Sequence, residues 1–332
     1  MSAPPEVPVD TGPDGGPPMA VRAVGLHKTF SSARGEVKAV QGVDLDVAQG
    51  EFFGLLGPNG AGKSTTIGML TTLVVPTAGR AEVCGLDVTK SPVDVKRRIG
   101  MVSQNNTLDT DLDAFENLEF RGRFFGMGRK DARRRADELL EMFNLTDRRK
   151  GKPMELSGGQ AKRLMICRAL VHRPEVLFLD EPTAGLDPQT RVNLWEVLRK
   201  LQADGQTTVL TTHYMEEAEA LCDRVAVIDH GRVLAMDTVE GLKTSAGADT
   251  VITVTYDGPA PEGVAALRDR EAIGKVEITG SQVRVFARES EGVLGELVAA
   301  GAAAGVGVTD AAQLRPSLES AFLTLTGREY RE

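Results

Sequence analysis

Short apolar runs alternate along the chain with longer amphipathic stretches. Continuous apolar runs such as Val176 to Leu179 are typical of parallel strands that are buried on both faces of a sheet. The alternating Val43, Leu45 and Val47 instead predict an antiparallel strand with one buried face, and Val192 to Leu201 has helical spacing. This mixture of strands and helices predicts an α/β fold.

A glycine-rich loop follows one of the apolar runs. It fits the pattern of a phosphate-binding loop and consists of Gly57, Pro58, Asn59, Gly60, Ala61, Gly62, Lys63 and Ser64, with a helix expected from Thr65 onwards. Glycines let backbone N–H groups turn towards an anion, and the helix N-terminus adds its positive end. The lysine would place a charge against the β- and γ-phosphates of ATP, and the serine hydroxyl would bind Mg²⁺.

The apolar run Val176 to Leu179 ends in two carboxylates, Asp180 and Glu181, and Pro182 then ends the strand. Ligands of open α/β sheets bind at the carboxyl ends of the strands, so we expect both carboxylates beside the phosphate loop. Asp180 is expected to orient Mg²⁺. Glu181 is expected to polarise the attacking water as a general base.

Between these two motifs lies a short run that contains two glycines. It consists of Leu156, Ser157, Gly158, Gly159 and Gln160, and we name it the signature run. Alone it could be a plain turn before a helix. In this order, the three motifs resemble those of the ATP-binding subunits of ABC transporters, from about Val21 to about Lys243.

The resemblance implies a P-loop ABC ATPase domain over residues 19–243. This domain would combine a mixed-sheet core, an antiparallel β subdomain and a helical subdomain at about residues 105–160. It also implies roles for four more residues. Gln104 resembles the family's glutamine loop, which contacts Mg²⁺ and water, and His213 resembles the switch histidine that reaches the γ-phosphate. Phe30 fits the position that stacks on adenine, although a core position explains it nearly as well, and Asp187 resembles the loop that crosses the dimer interface.

These roles define two sets of side chains. The implied catalytic residues are Lys63, Gln104, Glu181 and His213, and the implied metal ligands are Ser64, Gln104 and Asp180. In this family the signature run binds a nucleotide held by the other subunit, so two copies would pair head-to-tail. Because both motif sets are intact, we expect a hydrolysing homodimer, with a heterodimer as the alternative.

Composition narrows the remaining functions. The 332 residues carry a net charge of −8, which argues against nucleic-acid binding. No apolar segment approaches the roughly 20 residues needed to cross a bilayer, so transport would require a separate permease and place this chain at the cytoplasmic face of the membrane. Residues 1–18 contain six prolines and no signal-peptide pattern, which predicts a disordered tail.

The pattern changes beyond Lys243, and residues 244–332 predict a small α+β accessory or regulatory domain. Their elements follow the order β-α-β-β-α-β, with Gly280-Ser281 as a hairpin loop, which is the order of a ferredoxin-like fold. A final amphipathic helix is predicted between Pro316 and Gly327.

The tail from Pro316 to Arg328 resembles that of ATP-binding subunits of the daunorubicin-resistance type. Those subunits partner ABC-2 class permeases, which mostly export drugs, lipids or polysaccharides, so an exporter is implied. Some drug-resistance members near this group carry Gln at the position of His213, and we therefore assign no substrate.

Two other functions stay open at this point. The chain could serve an importer, although importer subunits usually carry a small β-barrel rather than a β-α-β-β-α-β segment. It could also be a soluble ABC ATPase of translation or DNA maintenance. Such proteins usually have two ATPase domains in one chain or a long coiled coil, and this chain has one phosphate loop and no sustained heptads.

Overall fold

The computed structural model describes residues 18–32, 35–245, 250–287, 290–314 and 317–326. Apart from Pro18, the predicted disordered tail lies outside these residues, as do Pro316 and Gly327 at the ends of the predicted last helix. The chain forms two compact units, Met1–Thr238 and Val239–Glu332. This division falls slightly before the predicted boundary at Lys243.

The first unit contains two sheets and a set of helices. Its strands are β1 (Met19–Ser32), β2 (Gly35–Ala48), β3 (Phe52–Leu56), β4 (Ala78–Val83), β5 (Leu86–Asp87), β6 (Ile99–Val102), β7 (Val176–Asp180), β8 (Thr207–Thr212), β9 (Arg224–Asp229) and β10 (Arg232–Thr238). Its helices are α1 (Lys63–Leu70), α2 (Pro92–Arg98), α3 (Ala114–Phe124), α4 (Arg129–Met142), α5 (Gly158–Leu170), α6 (Pro188–Ala203) and α7 (Met215–Leu221), with 3-10 turns at Thr146–Arg148 and Pro153–Glu155.

The larger sheet has the strand order β10-β9-β3-β8-β7-β6 and is parallel except for β10. Every residue of β3 and β7 is buried, as their apolar runs predict. Leu56 at the end of β3 lies opposite Thr212, and Thr211 lies opposite Asp180. The carboxyl ends of β3, β8 and β7 therefore meet at one edge of the sheet.

The smaller sheet is antiparallel, with the order β2-β1-β4-β5. Val43, Leu45 and Val47 on β2 are buried, which confirms the one-sided strand that their alternation predicts. The core between the two sheets contains these side chains together with Phe178 of β7 and Ile67 of α1. Helix α1, which follows the phosphate loop, is thus packed into this core.

The region predicted to be the helical subdomain contains α3, α4 and the start of α5. Helix α3 begins with a capping box, in which Asp113 accepts a hydrogen bond from the Glu116 backbone N–H at 2.8 Å and Glu116 accepts one from Asp113 at 3.0 Å. Buried Asn117 donates to the backbone carbonyl groups of Asp109, Leu112 and Asp113 and so holds the preceding loop.

The second unit contains one antiparallel sheet. Its elements are α8 (Val239–Ser245), β11 (Thr250–Tyr256), a 3-10 helix (Glu262–Asp269), β12 (Ile273–Thr279), β13 (Gln282–Ala287), α9 (Val293–Ala304), β14 (Val308–Leu314) and α10 (Leu318–Thr326). The strand order β12-β13-β11-β14 is that of the predicted ferredoxin-like fold. The structure differs in one element, because the first crossover helix is 3-10 rather than α.

Helix α9 covers one face of this sheet. Leu297 of α9 packs into a core with Ile252, Val254 and Val285, and the Tyr256 hydroxyl donates to the Leu297 carbonyl group at 2.8 Å. Gly301 allows α9 to approach the sheet, because a Cβ at this position would lie 2.7 Å from the Tyr256 ring.

This close approach gives a test of the second unit's packing. We expect Gly301→Ala to lower the free energy of unfolding of this unit by about 1–3 kcal/mol, because the new methyl group would force the ring to shift. Gly295 on the same helix has open space around it, so Gly295→Ala should raise stability by up to about 1 kcal/mol through helix propensity. Urea unfolding of the full chain compares the two variants, and equal effects would contradict this packing.

Candidate active site

The phosphate loop connects β3 to α1. Gly60 and Gly62 have positive φ values of 80° and 103°, a conformation that glycine adopts without strain. A Cβ at Gly57 would lie 2.1 Å from the Ile228 carbonyl oxygen, so the loop passes too close to β9 for another residue. Glycine is thus required at Gly60 and Gly62 by the backbone conformation and at Gly57 by the close approach to β9.

Lys63 is the first residue of α1, and its side chain folds back over the loop. Its ammonium group donates to the Gly57 carbonyl oxygen at 2.8 Å and to the Pro58 carbonyl oxygen at 3.1 Å. Only 4% of the residue is exposed. Burial lowers the pKa of Lys63, and the neighbouring Glu181 carboxylate opposes this shift. The loop therefore surrounds a desolvated cation, which binds phosphate more strongly than a hydrated one.

Three of the predicted catalytic side chains surround the fourth, Glu181. Its Oε1 atom lies 3.4 Å from Lys63 Nζ and 3.4 Å from His213 Nδ1, and its Oε2 atom accepts a hydrogen bond from Gln104 Nε2 at 3.3 Å. These residues follow four different strands, β3, β6, β7 and β8. The structure thus brings together residues that the sequence separates by up to 150 positions.

The backbone at Glu181 departs from the strand. Its φ value is +46°, which is costly for a residue with a side chain. The Glu181 N–H group donates to the Thr211 carbonyl oxygen at 3.1 Å and to the Thr211 hydroxyl at 3.0 Å. This pair of contacts to β8 fixes the turn and aims the carboxylate away from the sheet.

Oxygen ligands converge beside the phosphate loop. The Ser64 hydroxyl donates to Asp180 Oδ1 at 3.0 Å, and the Thr211 hydroxyl donates to the same oxygen. One hydroxyl and one carboxylate with a nearby amide suit Mg²⁺, which usually takes one or two carboxylates together with phosphate oxygens and water. Within the described ranges, no group of three or more His, Cys, Asp or Glu side chains could hold a metal alone. The donor set therefore fits a metal shared with a nucleotide.

The remaining predicted contacts lie on the surface. Phe30 on β1 is 43% exposed, and Lys28 Nζ lies 5.0 Å from its ring centroid. Exposure disfavours the alternative that Phe30 is a core residue. Asp187 caps α6 by accepting a hydrogen bond from the Thr190 N–H group at 3.0 Å. Its carboxylate is therefore engaged within its own chain as a helix cap.

The signature run forms the start of α5. Ser157 caps the helix, accepting from the Gln160 N–H group at 3.3 Å while Gln160 Oε1 accepts from the Ser157 N–H group at 3.0 Å. Leu156 is half-buried, Ser157 and Gly158 are exposed, and nothing lies within 4 Å of a Cβ built on Gly158. Gly159 differs, because its Cβ would lie 2.2 Å from Thr190 of α6. The first glycine thus presents open backbone, and the second allows two helices to pack closely.

Two site residues were not predicted from the sequence. Thr211 bridges Asp180 and the Glu181 backbone, and nothing distinguishes it within an apolar run. Lys162 of α5 is buried, and its ammonium group donates to the carbonyl groups of Ser103 and Gln104 at 3.3 and 3.4 Å. Its spacing from Gly159 places it on the buried face of α5, and that periodicity could have identified it.

A groove of about 710 Å³ lies apart from this site, beside α2 and α3. Both apolar side chains and cations line it, among them Leu73, Val93, Lys96, Arg97, Arg121 and Phe124. Leu73, Val93 and Phe124 are all more than 60% exposed. His172 also lines the groove, but burial lowers its pKa to about 4, so the positive charge comes from lysine and arginine.

Comparison with known proteins decides the family. The family model described as ABC transporter matches residues 40–184. A daunorubicin resistance ATP-binding protein of Streptomyces coeruleorubidus is 44% identical over 93% of this chain and 95% of its own length. The chain belongs to the ABC transporter ATP-binding proteins. It is therefore an ATPase, and its resemblance to the daunorubicin-resistance type is confirmed.

Other members of the ABC family are similar over nearly the whole chain. A linearmycin resistance ATP-binding protein of Bacillus subtilis is 39% identical over 92% of this chain and 99% of its own. A Nod factor export ATP-binding protein of Ralstonia nicotianae is 39% identical, with 97% and 98% covered. Among solved structures, a dimeric ATP-binding cassette bound to ADP and phosphate has a TM-score of 0.61 and 32% identity, covering 66% of this chain and 98% of its own.

The ABC ATPase fold predicted from the motifs is confirmed by these structures. No helix in the described part of the chain has the length and apolarity that crossing a membrane requires.

The contrast between the two signature glycines gives a test of the site's packing. We expect Gly159→Ala to lower the free energy of unfolding of the first unit by about 1–3 kcal/mol, because its methyl group would collide with Thr190. Gly158→Ala is the matched control, and it should leave stability unchanged or slightly raised. Thermal unfolding followed by circular dichroism compares them, and a larger loss for Gly158→Ala would contradict the structure.

Proposed function

We propose that this chain is the ATP-hydrolysing subunit of an ABC exporter, with Glu181 as the general base. The contacts around Glu181 carry this proposal, because a cation, an amide and an imidazole all lie within 3.4 Å of its carboxylate. Such surroundings orient a base and stabilise charge that develops on a transferring phosphoryl group.

In the proposed reaction, Glu181 accepts a proton from a water molecule whose oxygen attacks the γ-phosphorus of ATP. The bond from the γ-phosphorus to the bridging oxygen breaks, which releases ADP and phosphate. Lys63 offsets charge on the β- and γ-phosphates, and His213 and Gln104 position the water and the γ-phosphate. Mg²⁺, which Ser64, Asp180 and Gln104 would hold, supplies further positive charge to the phosphates.

The active unit is proposed to be a head-to-tail homodimer. Gly57, Pro58, Asn59, Gly60, Ala61, Gly62, Lys63, Ser64 and Thr65 would bind the phosphates, and Phe30 would stack on adenine. The second copy would contribute the signature run and Asp187. Exposed Gly158 at the start of a thirteen-residue helix supports this, because the first turn of a helix presents its N–H groups to an anion outside the chain.

Export is favoured by the relatives, whose names describe drug resistance and Nod factor export. We propose an ABC-2 class permease as the membrane partner, an amphiphilic drug or lipid as cargo, and a position at the cytoplasmic face of the membrane. Residues 244–332 are proposed as an accessory domain that regulates or stabilises the dimer.

The groove beside α2 and α3 is proposed as the permease's docking surface. Its exposed apolar side chains favour an apolar partner segment, and Lys96, Arg97 and Arg121 favour acidic residues flanking that segment. An amphipathic cytoplasmic helix of the permease combines these properties.

The catalytic assignment is tested by Glu181→Gln. We expect turnover to fall by about 100-fold or more, because the amide cannot accept the proton. ATP binding and ATP-driven dimerisation should persist, since the phosphate loop is unchanged. Glu175→Gln at the other end of β7 is the matched control and should hydrolyse ATP normally. Phosphate release measures turnover, and size-exclusion chromatography in the presence of ATP measures dimerisation. Near-normal turnover of Glu181→Gln would show that Glu181 is not the general base.

The docking surface is tested by Phe124→Asp, which places a charge in the groove. We expect the amount of polytopic membrane protein that co-purifies with the tagged chain to fall by about tenfold or more, because the change removes an exposed apolar contact and repels the acidic residues proposed on the permease segment. Leu234→Asp on β10, at an exposed apolar position outside the groove, is the control. Equal recovery with both variants would exclude this groove. Recovery of ribosomes or DNA-repair proteins instead of a membrane protein would overturn the transport function.

A further inference from the structure

Helix α7 begins two residues after His213 and carries a glutamate that makes none of the catalytic contacts described above. Glu217 is entirely buried, with 0% of its surface exposed. A buried carboxylate is costly unless neighbouring donors and charges compensate it. The neighbours of the Glu217 carboxylate therefore identify the segments that it connects.

The neighbours of Glu217 come from three other parts of the first unit. The Trp195 indole N–H group of α6 donates to Glu217 Oε1 at 3.2 Å. The side chains of Thr212 at the end of β8 and Thr183 after β7 lie beside the carboxylate, and Arg191 of α6 contributes positive charge. Burial raises the pKa of Glu217, and these four partners oppose that shift.

The contact with Thr212 reaches the switch histidine. The Thr212 hydroxyl accepts a hydrogen bond from the Tyr214 N–H group at 3.0 Å. This bond closes the chain around His213, whose Nδ1 atom lies 3.4 Å from Glu181 Oε1.

A second set of contacts connects this turn to α6. The His213 and Tyr214 rings lie 4.1 Å apart, and the Arg191 guanidinium group lies 4.3 Å from the centroid of the Tyr214 ring. Arg191 is in the first turns of α6, which Asp187 caps. Thr183 lies two residues after Glu181. Glu217 thus lies beside one residue that follows Glu181 and one that precedes His213, namely Thr183 and Thr212.

We infer that Glu217 is a positioning residue for ATP hydrolysis, which holds His213 at a fixed place relative to Glu181 by anchoring α7 to α6. This inference rests on the roles proposed above for Glu181 and His213. It assigns no direct contact between Glu217 and the nucleotide. Its effect should therefore appear in kcat and not in the KM for ATP.

Glu217→Gln tests this directly, because it keeps the shape of the side chain and replaces one acceptor oxygen with a donor. We expect kcat to fall about tenfold, since an amide lacks the negative charge that the Trp195 N–H group and Arg191 face, with an unchanged KM for ATP. Glu51→Gln is the matched control. Glu51 is also buried and accepts a hydrogen bond from the Ala48 N–H group at 2.7 Å, away from the catalytic contacts. Its kcat should match that of the unmodified chain.

A double-mutant cycle separates positioning from a merely structural role. Residual phosphate release is measured for His213→Ala, Glu217→Gln and the double variant, with enzyme in excess over ATP. If Glu217 acts through His213, adding Glu217→Gln to His213→Ala causes no further loss. Multiplying losses, or an unchanged kcat for Glu217→Gln alone, would overturn the inference. Normal turnover of His213→Ala would instead refute the proposed role of the histidine itself.

Thermal unfolding checks that the variant folds. Removing a buried charge should leave the stability of Glu217→Gln equal to or above that of the unmodified chain. If Glu217→Gln does not fold, Trp195→Phe decides the question, because it removes one donor to Glu217 and keeps an aromatic ring. The inference is supported if Trp195→Phe lowers kcat in the unmodified chain but causes no further loss in His213→Ala. An unchanged kcat, or a loss that multiplies with that of His213→Ala, overturns it.

Discussion

The active site depends on the pairing of three parallel strands. Leu56 of β3 lies opposite Thr212 of β8, and Thr211 lies opposite Asp180 of β7. The strands β3 and β7 are buried along their whole length, so packing on both faces resists a shift in register. This pairing alone brings the phosphate loop, the two carboxylates and the switch histidine to one edge of the sheet.

The charges gathered at this edge are balanced by specific neighbours. Asp180 and Glu181 are adjacent carboxylates, and both are mostly buried. Hydroxyl groups of Ser64 and Thr211 donate to Asp180, while Lys63 lies beside Glu181. The positive φ value of Glu181 marks a break from the strand between the two carboxylates. The two buried carboxylates thus have different surroundings, with hydroxyl groups around Asp180 and a lysine beside Glu181.

The residues proposed to contact nucleotide lie in two places. The phosphate loop, Glu181 and His213 form one continuous cluster, whereas the signature run caps α5 and packs on α6 through Gly159. Lys162 links these places, because it extends from α5 to the backbone beside Gln104. A movement of α5 towards a nucleotide on a second copy would therefore be transmitted to the glutamine near Glu181. In the proposed dimer, this connection would link closure to Glu181, the proposed base.

The sequence by itself determined the ABC ATPase fold, the phosphate loop, the acidic strand end and the ferredoxin-like order of the second unit. The resemblance of the motifs to ABC subunits implies the fold, while local spacing and hydrophobic period specify the other features without knowledge of distant contacts. Only the tertiary structure decided that Thr211 supports both carboxylates, that Gly159 serves packing and that Glu217 connects three segments. The first crossover helix of the second unit was likewise predicted as α and is 3-10. These features depend on which side chains meet across separate strands and helices, and a buried carboxylate has the same sequence pattern as an exposed one.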